Sequence, residues 1–98
     1  MEKPFYVQAM EKNDPDLLAQ MNSLHAFATK DGALPGKVKM LMAMLCDAIL
    51  GHGEGVRALA QMARTQGATD AEIAETVRMA FAFAGMPGLV TGTFAYRA

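Results

Sequence analysis

The sequence is poor in cysteine and has no strongly basic stretch, and both shortages limit what the protein can be. Cys46 is the only cysteine among 98 residues, which excludes an internal disulfide framework and a zinc site built mainly from thiolates. The formal net charge is −1 and no segment is strongly basic, which argues against a dedicated nucleic-acid-binding protein. We therefore expect a reducing, cytoplasmic setting.

Long apolar runs are missing as well. The longest of them, Met40–Cys46, is far too short to span a membrane. Residues 1–10 contain charges and Pro4 instead of the apolar stretch of a signal peptide. The sequence thus predicts a protein without a membrane partner.

Apolar residues as a class are nevertheless in surplus. They make up 52% of the chain, above the 45–50% that is usual for globular domains. A chain of 98 residues is one domain, 1–98, and a domain of this size buries a smaller fraction of its surface than a larger one. Burial against copies of itself would use the surplus, and the nine methionines suit either a core or an interface. We therefore expect a homo-oligomer.

Local signals predict where helices begin and end. Asp14 before Pro15 is typical of an N-cap followed by the first helical residue. Thr69 and Glu72 form a capping box, and Gly67 ends the preceding helix. The first predicted elements are a short helix or arm over 4–11 and a helix from Pro15 closed by Lys30 and Gly32. Two further helices run from Pro35 or Gly36 to Leu50 and over 54–66. A helix from the capping box to about Ala84 is followed by a turn at Gly85, Pro87 and Gly88 and by a last helix from Leu89 to Tyr96.

Apolar residues recur at helical spacing within these elements. In the helix that ends at Leu50, the segment Met40–Leu50 is apolar all round apart from Asp47, so we expect this helix to be buried on most sides, at the centre of the domain or against another subunit. Nothing in the sequence predicts a strand pair. The predicted fold is an all-α bundle of about five to six helices. The apolar positions of the next two helices are Val56, Leu59, Ala60, Met62 and Ala63, then Ile73, Val77, Ala80, Phe81 and Phe83.

Three landmarks carry a resemblance to a known family. Leu34 and Pro35 open the very apolar helix, the stretch Gly-Ala-Thr-Asp-Ala-Glu-Ile-Ala-Glu occupies residues 67–75, and Gly-Met-Pro occupies residues 85–87. In this order and spacing the sequence resembles the alkylhydroperoxidase D-like and carboxymuconolactone decarboxylase family. The resemblance implies an all-α helical bundle, assembly as trimers or hexamers, and a peroxide-reducing, antioxidant role.

The family's chemistry does not carry over residue by residue. The resemblance implies a Cys-x-x-Cys pair at the start of the third helix, with a glutamate before it and a histidine after it as a proton relay. In this chain the two cysteine positions hold His52 and Gly55, the histidine position holds Leu59 and the glutamate position holds Met40. The decarboxylase branch also has a histidine at the position of Leu59, so its reaction is not supported either.

His52 and Glu54 are the first candidates for a substitute site. His52 lies between glycines at a predicted helix start, where it could replace the reactive cysteine as a general base, ligand or polar contact, or could be a solvated loop histidine. Glu54 lies in the first helical turn, where carboxylates are favourable in any helix. Two ligands are too few for a metal site, and His25 would have to come from a distant helix, so we expect neither a metal nor a cofactor. We expect Gly51 to cap one helix, and Gly53 and Gly55 to relax the turn.

Cys46 is the third candidate, with two interpretations. Its apolar neighbours favour an inert packing residue, whereas a lone reactive cysteine would need a resolving thiol from outside the chain.

Asp47 must be near a helix end, paired or protonated, and Arg57 is the expected partner. We expect His25 to be partly buried, and Met40, Met42 and Met44 to form core or subunit contacts.

Two functions therefore remain open. A peroxide-reducing enzyme should gather His52, Glu54 and Cys46 around one pocket. A non-catalytic member, which binds a small molecule or serves as an oligomeric scaffold, would leave His52 solvated and Cys46 packed.

Overall fold

The computed structural model describes residues 3–98, and its regular structure is helical throughout this range. The elements are α1 (Phe5–Asn13), α2 (Pro15–Thr29), α3 (Gly36–Ile49), α4 (Gly53–Thr65) and α5 (Asp70–Gly92), followed by a 3₁₀ helix (Thr93–Tyr96). The predicted all-α class is confirmed, and of residues 4–11 all but the N-cap Pro4 belong to a helix rather than an arm. The chain divides into two compact units, residues 3–30 and 31–98 of the described range.

The first unit consists of α1 and α2, which begin and end at local signals. The Asp14 carboxylate accepts a hydrogen bond from the Leu17 amide at 3.1 Å, and Pro15 is the first helical residue, as predicted. None of the described residues of α1 or α2 is buried. His25 is exposed, so the expectation of a partly buried histidine is wrong. Helical spacing places apolar residues on one side of α2 but does not say how far that side is covered.

The second unit contains the hydrophobic core, where α4 and α5 pack against α3. On α3 only the stripe of Gly36, Met40, Met44 and Ala48 is buried. The expectation that α3 is buried on most sides is therefore wrong for the single chain, because α4 and α5 cover one stripe. Leu50, which lies outside this buried stripe, is 78% exposed. The core consists of Met40, Met44, Ala48, Val56, Ala60, Ala63, Ala68, Ile73, Val77, Ala80 and Ala95.

The α4–α5 connection follows the predicted signals closely. Gly67 has φ +99°, a left-handed conformation that favours glycine after a helix end. The Thr69 hydroxyl accepts from the Glu72 amide at 3.1 Å, and the Glu72 carboxylate accepts from the Thr69 amide at 2.8 Å. These backbone and side-chain hydrogen bonds, together with the Lys37 ammonium 3.0 Å away, hold the pKa of the Glu72 carboxyl below its ordinary value.

The helix that the sequence predicts to end near Ala84 is interrupted at Gly85, as expected, whereas Pro87 and Gly88 of the predicted turn are helical. Gly85 has φ +66° and interrupts the helical conformation, which resumes through Pro87 and Gly88. A Cβ atom at Gly88 would lie 2.5 Å from the Ala80 carbonyl oxygen, so only glycine fits this close approach. By length and composition alone the run Asp70–Tyr96 could cross a membrane, and Ile73, Val77 and Ala80 in its first half belong to the core of the unit.

Candidate functional site

The site begins where α3 ends and α4 starts. Gly51 has φ +80°, which reverses the chain after α3 as expected of a helix-capping glycine. His52 is the N-cap residue of α4, and its amide donates to the Asp47 carbonyl at 2.8 Å. Its imidazole does not cap the helix, and the side chain is 64% exposed. The predicted position of His52 at a helix start is therefore confirmed, with its ring largely in solvent.

Asp47 is the close partner of this imidazole. His52 Nδ1 lies 3.3 Å from Asp47 Oδ2, and the Asp47 side chain is 24% exposed. The expected Asp47–Arg57 pair is wrong, because the Arg57 guanidinium donates from Nε to the Ala98 carbonyl oxygen at 2.6 Å. The turn at Gly51 brings His52 back against the last turn of α3.

Two glycines of α4 leave room for neighbouring side chains. A Cβ atom at Gly55 would collide with Asp47 Oδ2 and lie 2.6 Å from His52 Nδ1. A Cβ atom at Gly53 would lie 2.8 Å from the ring of Phe94. The expectation that these glycines relax the turn is wrong, since both lie in the helix. Their lack of a Cβ atom instead makes room for the side chains of Asp47, His52 and Phe94.

Glu54 lies on α4 with its side chain 65% exposed. Its carboxylate oxygens lie 3.5 Å from Arg57 Nη1 and 3.8 Å from Arg97 Nη1. The described contacts of Glu54 are thus with two guanidinium groups, and none of them joins it to His52.

Cys46 is exposed, so its predicted packing into the core is wrong for this chain. The buried stripe of α3 passes through Met44 and Ala48, and Cys46 lies off that stripe by helical geometry. Cys46 directly precedes Asp47 in α3, and the Leu50 amide donates to its carbonyl at 3.0 Å. An accessible thiol therefore lies in the last turns of α3, next in sequence to the Asp47–His52 pair.

The positions of the implied proton relay have become apolar core. Met40 is 3% exposed within the core cluster, and Leu59 packs against that cluster. Apolar side chains at these two positions cannot transfer protons. Any acid–base chemistry must therefore use other groups, and Asp47–His52 is a pair whose role the sequence did not predict.

The structure does not gather the three candidate residues around a described pocket. One shallow depression lies on α2, and a groove of about 210 Å³ lies between α3 and α5. Neither is lined by His52, Glu54 or Cys46. Within residues 3–98, no group of three or more His, Cys, Asp or Glu side chains is arranged to hold a metal ion. The groove, called the α3–α5 groove below, is lined by Val38, Leu41, Met42, Leu45, Glu75, Thr76 and Met79.

Comparisons with known proteins agree with this fold. The structure is similar to the crystal structure of the apo form of a carboxymuconolactone decarboxylase family protein from Legionella pneumophila, with a TM-score of 0.85 and 32% sequence identity. That match covers 92% of this chain and 80% of the other. No curated protein matches the sequence significantly. The model of the carboxymuconolactone decarboxylase family matches residues 15–97, and the chain therefore belongs to that family.

Proposed function

We propose that this family member reduces hydroperoxides at the expense of an external thiol, with Cys46 as the reactive group. The observation that carries the proposal is the exposure of Cys46 directly before the Asp47–His52 pair. Peroxide reduction is the role that the alkylhydroperoxidase D-like resemblance implies. The reaction of a Cys-x-x-Cys pair is not available, because only one thiol is present.

The proposed reaction balances with one protein thiol and two external thiol groups. The Cys46 thiolate attacks one peroxide oxygen, so that an S–O bond forms and the O–O bond breaks. The other oxygen takes a proton and leaves as an alcohol, while Cys46 becomes a sulfenic acid. One external thiol displaces water to give a mixed disulfide, and the second releases Cys46 and forms the external disulfide.

A peroxidase assay tests this proposal. Purified protein with dithiothreitol should consume an organic hydroperoxide, and Cys46→Ser should abolish the protein-dependent rate. Ala82→Ser, which adds a hydroxyl at an exposed position of α5, is the matched control and should retain the wild-type rate. A wild-type rate no greater than that of dithiothreitol alone would refute the thiol reaction.

A second candidate is a non-catalytic, oligomeric family member that serves as a scaffold or binds a small molecule. The apolar lining of the α3–α5 groove favours it, with Met42 50% and Met79 46% exposed. We propose a second copy of this chain as the occupant, since an exposed apolar groove is the natural outlet for the chain's apolar surplus. The family resemblance makes a trimer or hexamer the expected assembly. The single cysteine makes the cytoplasm the expected location.

Solution mass and thiol reactivity together separate the two candidates. Light scattering should give a mass near three or six times 10.5 kDa, and Met42→Lys with Met79→Lys should lower it. Gln61→Lys, an exposed position of α4, is the control for added charge. An oligomer whose Cys46 does not react with an aromatic disulfide, and which consumes no peroxide, would identify the scaffold. A monomeric wild-type protein would refute the oligomeric scaffold.

A further inference from the structure

The Asp47–His52 pair occupies none of the positions that the family resemblance assigns to a proton relay. We infer that Asp47 is a positioning residue for His52, which it holds so that Nε2 is the atom that exchanges a proton with a bound hydroperoxide. The identity of that ligand rests on the proposed function. The placement of the His52 ring beside Asp47 does not depend on it.

The burial of the two side chains supports this division of roles. The Asp47 side chain is 24% exposed and the His52 side chain 64% exposed, so the carboxylate is the inner partner and the imidazole the outer one. Nδ1 is the ring nitrogen beside the carboxylate, 3.3 Å from Oδ2. An acceptor beside Nδ1 favours the tautomer that carries its proton there, which leaves Nε2 with a free lone pair.

The backbone fixes the pair independently of the side chains. The His52 amide donates to the Asp47 carbonyl at 2.8 Å, and the left-handed conformation of Gly51 sets the direction of the turn. Both residues are thereby tied to the end of α3. Little conformational freedom has to be lost when the carboxylate and the ring meet, which makes the pair a preorganised one.

Gly55 provides the volume that the pair occupies. A Cβ atom there would collide with Asp47 Oδ2 and lie 2.6 Å from His52 Nδ1. Gly55 also stands where the family resemblance implies the second cysteine. A side chain at position 55 and the observed Asp47–His52 geometry therefore exclude each other, so the pair requires glycine at this position.

The pair has a defined task in the proposed reaction. As Cys46 attacks, the lone pair of His52 Nε2 accepts the thiol proton and passes it to the departing oxygen, which leaves as the alcohol when the O–O bond breaks. The Asp47 carboxylate keeps the ring proton on Nδ1 throughout, so that Nε2 is the nitrogen that accepts and releases the transferred proton. Electrons move only between Cys46 and the peroxide.

Nitrogen-15 NMR of the two imidazoles tests the positioning role without any activity measurement. His25 and His52 are the only histidines, and exposed His25 is an internal reference. In the neutral wild-type protein the His52 ring should carry its proton mainly on Nδ1. Asp47→Ala should remove that preference and leave the His25 signals unchanged. Unchanged His52 ring signals in Asp47→Ala would overturn the inference.

A pair of glycine variants distinguishes this contact from general disturbance of α4. Gly55→Ala should remove the Nδ1 preference although both partners are retained. Gly53→Ala adds the same methyl group in the same helical turn but directs it at Phe94, so it should keep the wild-type tautomer. Equal loss in both variants would show that helix distortion, and not the contact with Asp47, controls the ring.

Turnover then links the pair to the reaction. Asp47→Ala should lower kcat for hydroperoxide reduction about 100-fold with KM little changed, and Asp47→Glu should recover part of the rate. If the wild type reduces peroxide and Asp47→Ala is equally fast, the inference fails while the proposed function stands. If the wild type is inactive but the NMR results are as expected, the proposed function fails while the positioning of His52 stands.

Discussion

The two units of this chain use the same local signals but differ completely in burial. Asp14 caps α2 as Thr69 caps α5, and both caps accept a hydrogen bond from the backbone three residues later. Yet no described residue of α1 or α2 is buried, whereas the second unit contains the whole described core. The difference teaches that capping and helical spacing place helices, while a core requires several helices that converge on shared stripes.

The largest expected effect comes from the centre of the core. Ile73→Ala removes methyl groups from a fully buried side chain and should lower the free energy of unfolding by about 2–5 kcal/mol in urea denaturation. Leu24→Ala, in the first unit, removes a side chain that is 65% exposed and should cost about 0.5 kcal/mol or less. Similar losses in both variants would contradict the contrast between the units.

The two caps sharpen the same contrast. Thr69→Ala removes one half of a capping box above the core and should lower the free energy of unfolding by about 1 kcal/mol. Asp14→Ala removes an equivalent hydrogen bond and should reduce helicity in circular dichroism, with the slowest amide exchange, around Ile73, unchanged. Faster exchange at Ile73 in Asp14→Ala would mean that the first unit also stabilises the core.

Acid sensitivity should reside in the second unit at Glu72. Its pKa is lowered by the Thr69 amide and by Lys37, so its stabilising contribution is present above the ordinary pKa of 4.5 and is lost as pH falls through the lowered folded value. Glu72→Gln should flatten the pH dependence of the unfolding midpoint between the lowered folded value and 4.5. Glu11→Gln, in the exposed Lys3–Glu11 pair of the first unit, should change the free energy of unfolding little at neutral pH, because exposed ion pairs contribute little to stability.

The smallest stability effect is expected at Gly55. Alanine in a helix is favoured over glycine by about 1 kcal/mol, which opposes the loss of the Asp47–His52 contact. Gly55→Ala should therefore change the midpoint of thermal unfolding only slightly, although it displaces the Asp47 carboxylate. A loss of several kcal/mol would mean that the Asp47 side chain cannot move aside and that the contact is part of the core.

Much of the fold follows from local chemistry. The caps at Asp14 and Thr69 and the left-handed Gly67 each need only a few neighbouring residues, so the sequence alone predicted them correctly. The exposure along α3 could not be predicted in this way, since the apolar composition of Met42 and Leu50 does not tell whether another helix covers them.

The site was predictable in its position but not in its partners. His52 at a helix start follows from Gly51 and from the family resemblance. Its contact with Asp47 depends on the direction in which the chain leaves α3 and on free volume at Gly55, and neither is a property of a sequence window. Asp47 was nonetheless identifiable as the one charge in the apolar segment Met40–Leu50, which is a signal that it needs a partner.

The crowded space around Gly55 also bears on whether single substitutions could install the Cys-x-x-Cys pair that the family resemblance implies. Gly55→Cys alone would expel the Asp47 carboxylate before a second thiol existed at position 52 to work with it. His52→Cys alone would remove the imidazole and leave Asp47 without its partner. Each single substitution thus removes the observed Asp47–His52 arrangement without completing a Cys-x-x-Cys pair, so only the double substitution could exchange one arrangement for the other.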